Sequence, residues 1–438
     1  MSDSSLSFTV EPGGTLQGRL RVPGDKSISH RSVMFGALAE GTSEVSGFLD
    51  GEDCLCTMKA FEAMGATLDR RSSTEFSITG VGLHGLKSPG QVLDLGNSGT
   101  SMRLMTGLLA AQNFETTLTG DASLSKRPMR RVIDPLTQMG ARIGSTDGRA
   151  PLHIHPVAGL HAIEYRSPVA SAQIKSSILL AGLYAQGLTQ VHEPEASRDH
   201  TERMLRSFGV EVEARPGYAA LRGGQKLKAA KVQVPADISS AAFFMVGAAI
   251  LPGSDVTLVD VGVNPTRTGV IEILRRMGAN IELQNPRDFG GEPVADIRIR
   301  GGQLRGIDIA KDLVASAIDE FPALFVAAAC AEGETRLTGA EELRVKESDR
   351  IQVMCDGLVA LGVDARAMPD GMVLRGGAIG GGSIDSRGDH RVAMSFTMAS
   401  LRAAGTIRIL DCANVNTSFP GFADLAAGAG LRISVQNL

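Results

Sequence analysis

The stretch DKSISHRSVMFGALAEG, residues 25–41, begins with charged and hydroxyl side chains and continues directly into an apolar run rich in Ala and Gly. A polar cluster followed at once by such a run is typical of a buried helix with a polar amino end. Five further segments share this character and recur roughly every 70 to 80 residues. They are residues 96–112, 170–187, 237–253, 319–333 and 388–405.

A second signature follows each of these segments. It consists of a strand-like stretch and then a second helical stretch that stops at a glycine. The six stops are MGATL (64–68), MGARI (139–143), FGVEV (208–212), MGANI (277–281), LGVDA (361–365) and AGLRI (429–433). Two signatures in the same order, six times, indicate an internal structural repeat.

Alternating stretches closed by glycine turns, such as GMVLRGG from Gly371, precede the next repeat and read as strands. Each repeat is therefore predicted to be strand, helix, strand, helix, strand, strand, with its helices on one side of a small sheet. We expect an α/β protein of two domains, each built from three βαβαββ units with pseudo-threefold repetition.

The sixth repeat lacks its final strand pair, because the chain stops at RISVQNL soon after the second helix. The segment SLSFTVEPGGTLQGRLRV, residues 5–22, has strand-turn-strand character and belongs to no complete repeat. We therefore predict that residues 1–23 complete the last repeat. The domains become 24–235 and 1–23 plus 236–438, joined by a two-strand hinge near Pro23 and Pro235.

Composition excludes several classes of protein. Hydrophobic residues make up 43% and charged residues 21%, which is typical of a globular chain with an ample core. A net charge of -4 gives no overall reason to expect nucleic acid or an anionic membrane as partner. Five cysteines without a CxxC pair, no signal-peptide pattern and no long apolar run predict a cytoplasmic protein without a membrane anchor.

Candidate anion-binding groups concentrate at the starts of the first helices, where unpaired N–H groups and the helix dipole favour negative charge. Lys26, Ser27 and Arg31 fall within one and a half turns of the first repeat. LGNSGTSMR, residues 95–103, places Asn97 and Gly99 at a tight turn. The remaining candidates in this half are Arg127, Ser171, Ala172, Gln173 and Arg198.

The C-terminal half adds groups that could carry protons. Asp319 stands at the start of a strongly apolar helix, where a carboxylate is a candidate general base. LRVKESDR, residues 343–350, alternates the sign of its charges and contains Lys346, Glu347 and Arg350. Arg391 follows in GDHR, residues 388–391. A solvated, salt-bridged surface is the alternative interpretation of both clusters.

Together these motifs resemble the EPSP synthases, members of the enolpyruvyl transferase family. The resemblance is carried by PGDKSISHR, LGNSGTSMR, SKRP, SAQIKS, SRDHTER, LRVKESDR, GDHR and TSFP, which cover essentially the whole chain. It implies two domains of three inverse α/β units that close around their substrates. It also implies transfer of the enolpyruvyl group of phosphoenolpyruvate to the 5-hydroxyl of shikimate 3-phosphate, with glyphosate as an inhibitor.

The resemblance also assigns residues. Ligands of shikimate 3-phosphate would be Lys26, Ser27, Arg31, Ser171, Ala172, Gln173, Arg198, Asp319 and Lys346. Ligands of phosphoenolpyruvate would be Lys26, Asn97, Gly99, Arg127, Gln173, Arg350 and Arg391. Asp319 and Glu347 would transfer protons, with Lys26 as a further catalytic group. Two positions depart from many relatives: Asn416 stands where a Lys is common, and Ala172 where a second Ser is common.

No metal or cofactor is expected. His153 and His155 alternate on a predicted strand without a carboxylate or thiol at ligand spacing. The chain is expected to act as a monomer on small anionic substrates. Two alternatives stay open: an enolpyruvyl transferase acting on UDP-N-acetylglucosamine, which typically has a reactive Cys on a mobile loop, and a non-catalytic anion-binding repeat protein.

Overall fold

A computed structural model describes residues 6–437 of the chain. Its helices are α1 (Lys26–Leu38), α2 (Glu52–Ala63), α3 (Gly99–Leu109), α4 (Arg130–Gln138), α5 (Ala172–Gly182), α6 (His200–Ser207), α7 (Ile238–Ala249), α8 (Gly269–Arg276), α9 (Val314–Ala317), α10 (Phe321–Ala329), α11 (Arg350–Ala360), α12 (His390–Ala399) and α13 (Phe422–Ala429).

Its strands are β1 (Leu6–Glu11), β2 (Gln17–Leu20), β3 (Ala39–Ser46), β4 (Thr67–Arg70), β5 (Glu75–Val81), β6 (Leu93–Asp94), β7 (Thr116–Thr119), β8 (Arg142–Thr146), β9 (Arg149–His155), β10 (Glu164–Arg166), β11 (Leu188–His192), β12 (Val212–Arg215), β13 (Tyr218–Arg222), β14 (Leu227–Lys228), β15 (Lys231–Gln233), β16 (Asp255–Gly262), β17 (Asn280–Phe289), β18 (Glu292–Arg300), β19 (Glu334–Leu337), β20 (Asp364–Met368), β21 (Gly371–Arg375), β22 (Gly382–Asp385), β23 (Ile407–Leu410) and β24 (Arg432–Asn437).

Backbone contacts group these elements into two compact units. The N-terminal unit comprises residues 24–234 together with 288–292, the tip of the β17–β18 hairpin. The C-terminal unit comprises the described residues up to Pro23, then 235–287 and 293–437. Each unit has its own apolar core.

Each repeat forms its own small sheet. In the second repeat, for example, β6 lies parallel to β7, which pairs antiparallel with β9, and β9 with β8. The third repeat has the same order, β10-β11-β13-β12. A parallel pair needs a crossover helix and an antiparallel pair only a turn, so this pattern corresponds to a βαβαββ unit. The predicted α/β class with βαβαββ repeats is confirmed.

The chain start lies in two different sheets. β1 pairs antiparallel with both β23 and β24, so it supplies the missing strand of the sixth repeat, as predicted. β2 instead runs parallel to β16 in the sheet of the fourth repeat. The expectation that the whole of residues 1–23 completes the sixth repeat was therefore wrong for β2; residues 1–5 of that segment lie outside the described residues. The incomplete sixth repeat indicates the place of β1, but no feature of the sequence around β2 indicates its partner.

The second helix of every repeat ends as predicted. Each is followed by a glycine with positive φ, a conformation that terminates helices because glycine has no Cβ to clash. These glycines are Gly65, Gly140, Gly209, Gly278, Gly362 and Gly430. The chain is thereby turned back into the next strand at the same point of each repeat.

The first helices of the repeats are the buried ones. Every residue of α7 is buried, and α3 approaches α5 so closely that a Cβ at Gly107 would stand 2.1 Å from the carbonyl oxygen of Ser177. The second helices are amphipathic; α4 buries only Val132, Ile133, Pro135 and Leu136. The polar starts of the first helices are therefore held by the best-packed elements of each unit.

None of the helices within residues 6–437 is both long enough and apolar enough to span a bilayer.

Candidate active site

In the N-terminal unit, the start of α1 presents Lys26 and Ser27. The carboxylate of Asp25 caps the helix by accepting a hydrogen bond from the backbone N of Ile28 at 2.9 Å. Lys26 forms an ion pair with Asp53, a nearly fully buried residue in the first turn of α2. The ion pair ties the two helices together and places the ammonium group at the amino end of α1.

Arg31, one turn further along α1, is almost completely buried. Its Nε donates to Thr201 Oγ1 at 2.7 Å, Nη1 to the Ser27 carbonyl oxygen at 2.9 Å and Nη2 to Ser176 Oγ at 3.0 Å. Burial lowers the pKa of Arg31 to about 10, which still leaves the guanidinium charged at neutral pH. The residue is thus a fixed positive charge beneath the starts of α1, α5 and α6.

The start of α3 is organised around Asn97 and Arg127. Asn97 Nδ2 donates to Asp121 Oδ2 at 2.7 Å, and its Oδ1 accepts from Arg127 Nη2 at 2.5 Å. Both ends of the Asn97 amide are therefore engaged by protein groups. These two hydrogen bonds hold the Asn97 amide beside the Arg127 guanidinium.

Gly99 is the first residue of α3 and faces two guanidinium groups. A Cβ at this position would lie 2.9 Å from Arg103 Nη1 and 3.2 Å from Arg127 Nη1. Arg103 Nη1 also donates to Gln173 Oε1 at 2.6 Å, and Gln173 Nε2 donates to Thr100 Oγ1 at 3.0 Å. Because Gly99 has no side chain, the start of α3 and these two guanidinium groups form a candidate binding site for a small anion.

A buried histidine connects these helix starts. His30 of α1 contacts Thr57 Oγ1 of α2 at 2.9 Å through Nδ1 and Ser98 Oγ, the cap of α3, at 3.3 Å through Nε2. Burial lowers the pKa of His30 well below its ordinary value, and the charges of Lys26 and Arg31 act in the same direction. The ring is neutral at neutral pH, so it links the three helices through hydrogen bonds and carries no charge.

In the C-terminal unit, Arg350 brings both candidate proton carriers together. Its Nη2 lies 2.6 Å from Glu347 Oε2 and its Nη1 lies 3.4 Å from Asp319 Oδ1. Its Nε contacts Asp389 Oδ2 at 2.9 Å. The Arg350 side chain is 1% exposed, so three carboxylates surround one buried guanidinium.

Asp319 has two further cationic neighbours. Lys346 Nζ lies 3.2 Å from Asp319 Oδ1, and Arg391 Nη1 donates to the Asp319 backbone oxygen at 3.1 Å. Asp319 is therefore surrounded by three basic side chains, those of Lys346, Arg350 and Arg391. Lys346, Glu347 and Arg391 are half-buried, so they retain an accessible face.

The opposite charges in this cluster shift one another's pKa values. Burial alone would lower the pKa of Arg350, but attraction to Asp389, Glu347 and Asp319 raises it above its ordinary value. For Asp389 the directions are reversed. Burial would raise the pKa of this carboxyl group, but the positive charge of Arg350 outweighs burial and lowers it. Asp389 also caps α12, since its Oδ1 accepts from the backbone N of Arg391 at 3.0 Å.

The predicted residues are divided between the two units. The N-terminal set contains Lys26, Ser27, Arg31, Asn97, Gly99, Arg127, Ser171, Ala172, Gln173 and Arg198. The C-terminal set contains Asp319, Lys346, Glu347, Arg350 and Arg391. The LGNSGTSMR motif places Arg103 at the same predicted anion-binding turn, but Arg103 was not predicted to be a ligand of either substrate. No role was predicted for Asp53, whose pairing with Lys26 leaves no local pattern.

Comparison with known proteins places these sets in context. The family model described as EPSP synthase (3-phosphoshikimate 1-carboxyvinyltransferase) matches residues 10–425. A protein of that name from Methylococcus capsulatus is 65% identical, with 100% of each chain covered. Another from Alkalilimnicola ehrlichii is 62% identical, over 98% of this chain and 97% of its relative.

Solved structures give the same result. An EPSP synthase from Acinetobacter baumannii has 56% identity and a TM-score of 0.89, covering 98% of this chain and 100% of that chain. The enolpyruvyl transferase NikO from Streptomyces tendae has a TM-score of 0.79 over 99% of both chains. Its identity is only 17%, so this second likeness concerns the fold.

Proposed function

Since the chain belongs to the EPSP synthase family, we propose that Asp319 and Glu347 carry the protons of its reaction and that the basic helix starts hold the substrates. The chain is a transferase: it moves the enolpyruvyl group of phosphoenolpyruvate to the 5-hydroxyl of shikimate 3-phosphate and releases phosphate. The reaction belongs to the shikimate pathway of aromatic biosynthesis.

The chemistry requires two proton transfers. The 5-hydroxyl of shikimate 3-phosphate loses a proton as its oxygen attacks C2 of phosphoenolpyruvate, while C3 gains a proton and becomes a methyl group. The tetrahedral intermediate then loses a proton from C3 and expels phosphate, which regenerates the double bond. One group must exchange a proton with oxygen and another with carbon.

The observation that carries the assignment is the shared guanidinium of Arg350. It holds Asp319 and Glu347 at 3.4 and 2.6 Å, which fixes two carboxylates beside one another without leaving either unpaired. Asp319, flanked by cations, is the proposed acceptor of the hydroxyl proton. Glu347 is the proposed carrier of the C3 proton.

The substrates are both anionic, so their proposed ligands are basic groups and hydrogen-bond donors. For shikimate 3-phosphate we assign Lys26, Ser27, Arg31, Ser171, Ala172, Gln173, Arg198, Asp319 and Lys346. For phosphoenolpyruvate we assign Lys26, Asn97, Gly99, Arg127, Gln173, Arg350 and Arg391. The cradle at Gly99 supports the second set, since it offers two guanidinium groups to one small anion.

Lys26 is also proposed to assist catalysis. Its ammonium group can stabilise the negative charge that develops on the phosphate as this group leaves the tetrahedral intermediate. In the structure this group is held by Asp53. Such a charge is most effective when it is already oriented before the reaction begins.

The function is tested by phosphate release from phosphoenolpyruvate in the presence of shikimate 3-phosphate. The expected result is stoichiometric release with formation of the enolpyruvyl ether. The same assay with UDP-N-acetylglucosamine should give no release. Turnover with the UDP-sugar alone, or ligand binding without turnover, would overturn the assignment.

Several broader properties belong to the same proposal. The N-terminal unit is proposed to be the domain that mainly binds shikimate 3-phosphate. The protein is proposed to be a cytoplasmic monomer; none of its five cysteines, all within residues 6–437, forms a disulfide, which suits a reducing compartment. Light scattering on the purified protein should give the mass of one chain, and a dimer mass would contradict the monomer.

A further inference from the structure

A second cluster of buried charges lies in the N-terminal unit and has no role in the assignments above. It consists of Lys175, Glu193 and Glu202, whose side chains are 5%, 0% and 2% exposed. Buried charges are costly unless they are paired, so a cluster of three needs a structural or functional reason. The position of this cluster beside the proposed substrate ligands suggests a functional reason.

Lys175 stands at the centre of the cluster, in the first turn of α5. Its Nζ lies 3.0 Å from Glu193 Oε2 and 2.9 Å from Glu202 Oε1. Burial would lower the pKa of Lys175, but the two carboxylates outweigh burial and raise it. One cation therefore serves two anions, and the cluster carries a net negative charge.

Glu193 reaches from this cluster to two segments proposed to bind shikimate 3-phosphate. Its Oε1 accepts a hydrogen bond from the backbone N of Ser171, the cap of α5, at 2.8 Å. Its Oε2 accepts from Ser197 Oγ at 2.7 Å, in the loop that carries Arg198. A single carboxylate thus sets the start of α5 and the loop before α6 relative to each other.

We propose that Lys175 is a positioning residue for shikimate 3-phosphate, because it neutralises Glu193 and lets this carboxylate organise Ser171 and the 197–198 loop beside a bound phosphate. The proposal rests on the assignment of Ser171, Gln173 and Arg198 to that substrate. Glu202 is the second carboxylate paired with Lys175. Lys175 itself does not touch the substrate.

The charge count explains why the lysine matters. With Lys175 present, the three side chains together add about one negative charge near the bound phosphate dianion. Without Lys175, the two carboxylates add about two negative charges at the same place. Like charges in a partly desolvated region repel strongly, since the effective dielectric is far below that of water. Loss of Lys175 should consequently weaken the binding of shikimate 3-phosphate more than the binding of phosphoenolpyruvate.

The test is a charge-matched set of three variants. Lys175→Met keeps the length of the side chain and removes the cation, and it should raise the KM for shikimate 3-phosphate about tenfold. Glu202→Gln removes one negative charge and keeps an oxygen for Lys175, so it should lower this KM about threefold. The double variant restores the net charge and should return this KM to within about twofold of wild type. The KM for phosphoenolpyruvate should stay within about twofold throughout.

The direction in which each variant changes the KM for shikimate 3-phosphate distinguishes a positioning role of Lys175 from a packing role. If Lys175 only fills space, Glu202→Gln cannot rescue Lys175→Met, and a double variant as weak as the single one would overturn the proposal. An equal rise in both KM values would overturn it as well. Should Lys175→Met fail to fold, Glu202→Gln alone decides, because an unchanged or higher KM for shikimate 3-phosphate contradicts the electrostatic argument.

Two controls complete the design. Lys228→Met removes an exposed lysine of β14 and should change neither KM. Arg198→Ala checks the underlying assignment, since it should raise the KM for shikimate 3-phosphate whether or not Lys175 acts as proposed. If Arg198→Ala leaves that KM unchanged, the substrate assignment is at fault, and that failure is distinguishable from failure of the Lys175 proposal.

Discussion

Arg350 shows how one residue can govern two others. Its three donor nitrogens face Asp389, Asp319 and Glu347, an arrangement that a planar guanidinium can satisfy and a lysine ammonium cannot. Removing it would leave Asp389, which is fully buried, without its cation. The two proposed proton carriers are therefore held in place by a third side chain.

The proposed base can be tested directly. Asp319→Asn retains the shape of the side chain but removes its ability to accept the hydroxyl proton, so kcat should fall by about 10²- to 10⁴-fold. Phosphoenolpyruvate binding, measured by calorimetry, should remain detectable. The matched control Asp312→Asn changes an exposed carboxylate nearby and should leave kcat unchanged. Unchanged turnover in Asp319→Asn would remove this residue from the mechanism.

The proposed role of Glu347 concerns carbon rather than oxygen. In heavy water the wild-type enzyme should place deuterium at C3, because the proton added there can be lost again when phosphate leaves. Glu347→Gln should slow this incorporation about 100-fold or more. Mass spectrometry of recovered phosphoenolpyruvate and product gives the measurement. Normal incorporation in Glu347→Gln would assign the C3 proton to another group.

Gly99 offers a steric test of the anion cradle. A methyl group there would stand 2.9 Å from Arg103 Nη1 and displace guanidinium groups that face the proposed phosphoenolpyruvate position. Gly99→Ala should raise the KM for phosphoenolpyruvate about tenfold, equivalent to about 1.4 kcal/mol, and weaken inhibition by glyphosate. Gly159→Ala, where a Cβ meets open space, is the matched control. Equal kinetics in both variants would place the anion elsewhere.

At the scale of elements, His30 links α1, α2 and α3 through its two ring nitrogens. Its pKa in the folded protein lies well below the ordinary value, mainly because it is buried. Below the ordinary value near 6.5, the unfolded chain takes up a proton that the folded chain refuses. The stability that His30 contributes is therefore full above that pH and is lost as the pH falls toward the folded pKa.

This linkage predicts a measurable pH effect. Between pH 7.5 and pH 5.5 the unfolding free energy of the wild type should fall by about 1.4 kcal/mol more than that of His30→Asn. Chemical denaturation of the full chain at the two pH values gives the comparison. His153→Asn, on the exposed face of β9, should follow the wild type. Parallel curves for all three proteins would contradict the linkage.

Helix ends set by local sequence could be predicted, and so could the place of β1, because the sixth repeat is visibly incomplete without it. The six glycine stops mark real helix ends, because positive φ is a local requirement written into one residue. The placement of β2 beside β16 depends on a partner far along the chain. The same reason hides Lys175: on its helix it reads as an ordinary lysine, and its carboxylate partners come from a strand end and another helix.

At the scale of the whole molecule, both described ends of the chain lie in one sheet. β1 runs antiparallel to β24, with Leu6 opposite Asn437. A circular permutant that joins Leu438 to Met1, and opens the chain at the exposed turn between Ser72 and Ser73, should fold and retain kcat within about threefold. Thermal unfolding and phosphate release are the measurements. A permutant that fails to fold would show that this connection cannot be made in the native sheet.

The pairing of β1 with β23 and β24 also sets an order of events during synthesis on the ribosome. Residues 24–234 hold all six helices of the N-terminal unit, so almost the whole of this unit emerges while the second half is still untranslated. β1 is synthesised well before its partner strands β23 and β24. Phe8 and Val10, buried in the finished sheet, cannot reach their native packing until those strands have been synthesised. The two ends of this sheet are therefore joined late, after the rest of the chain between them has been made.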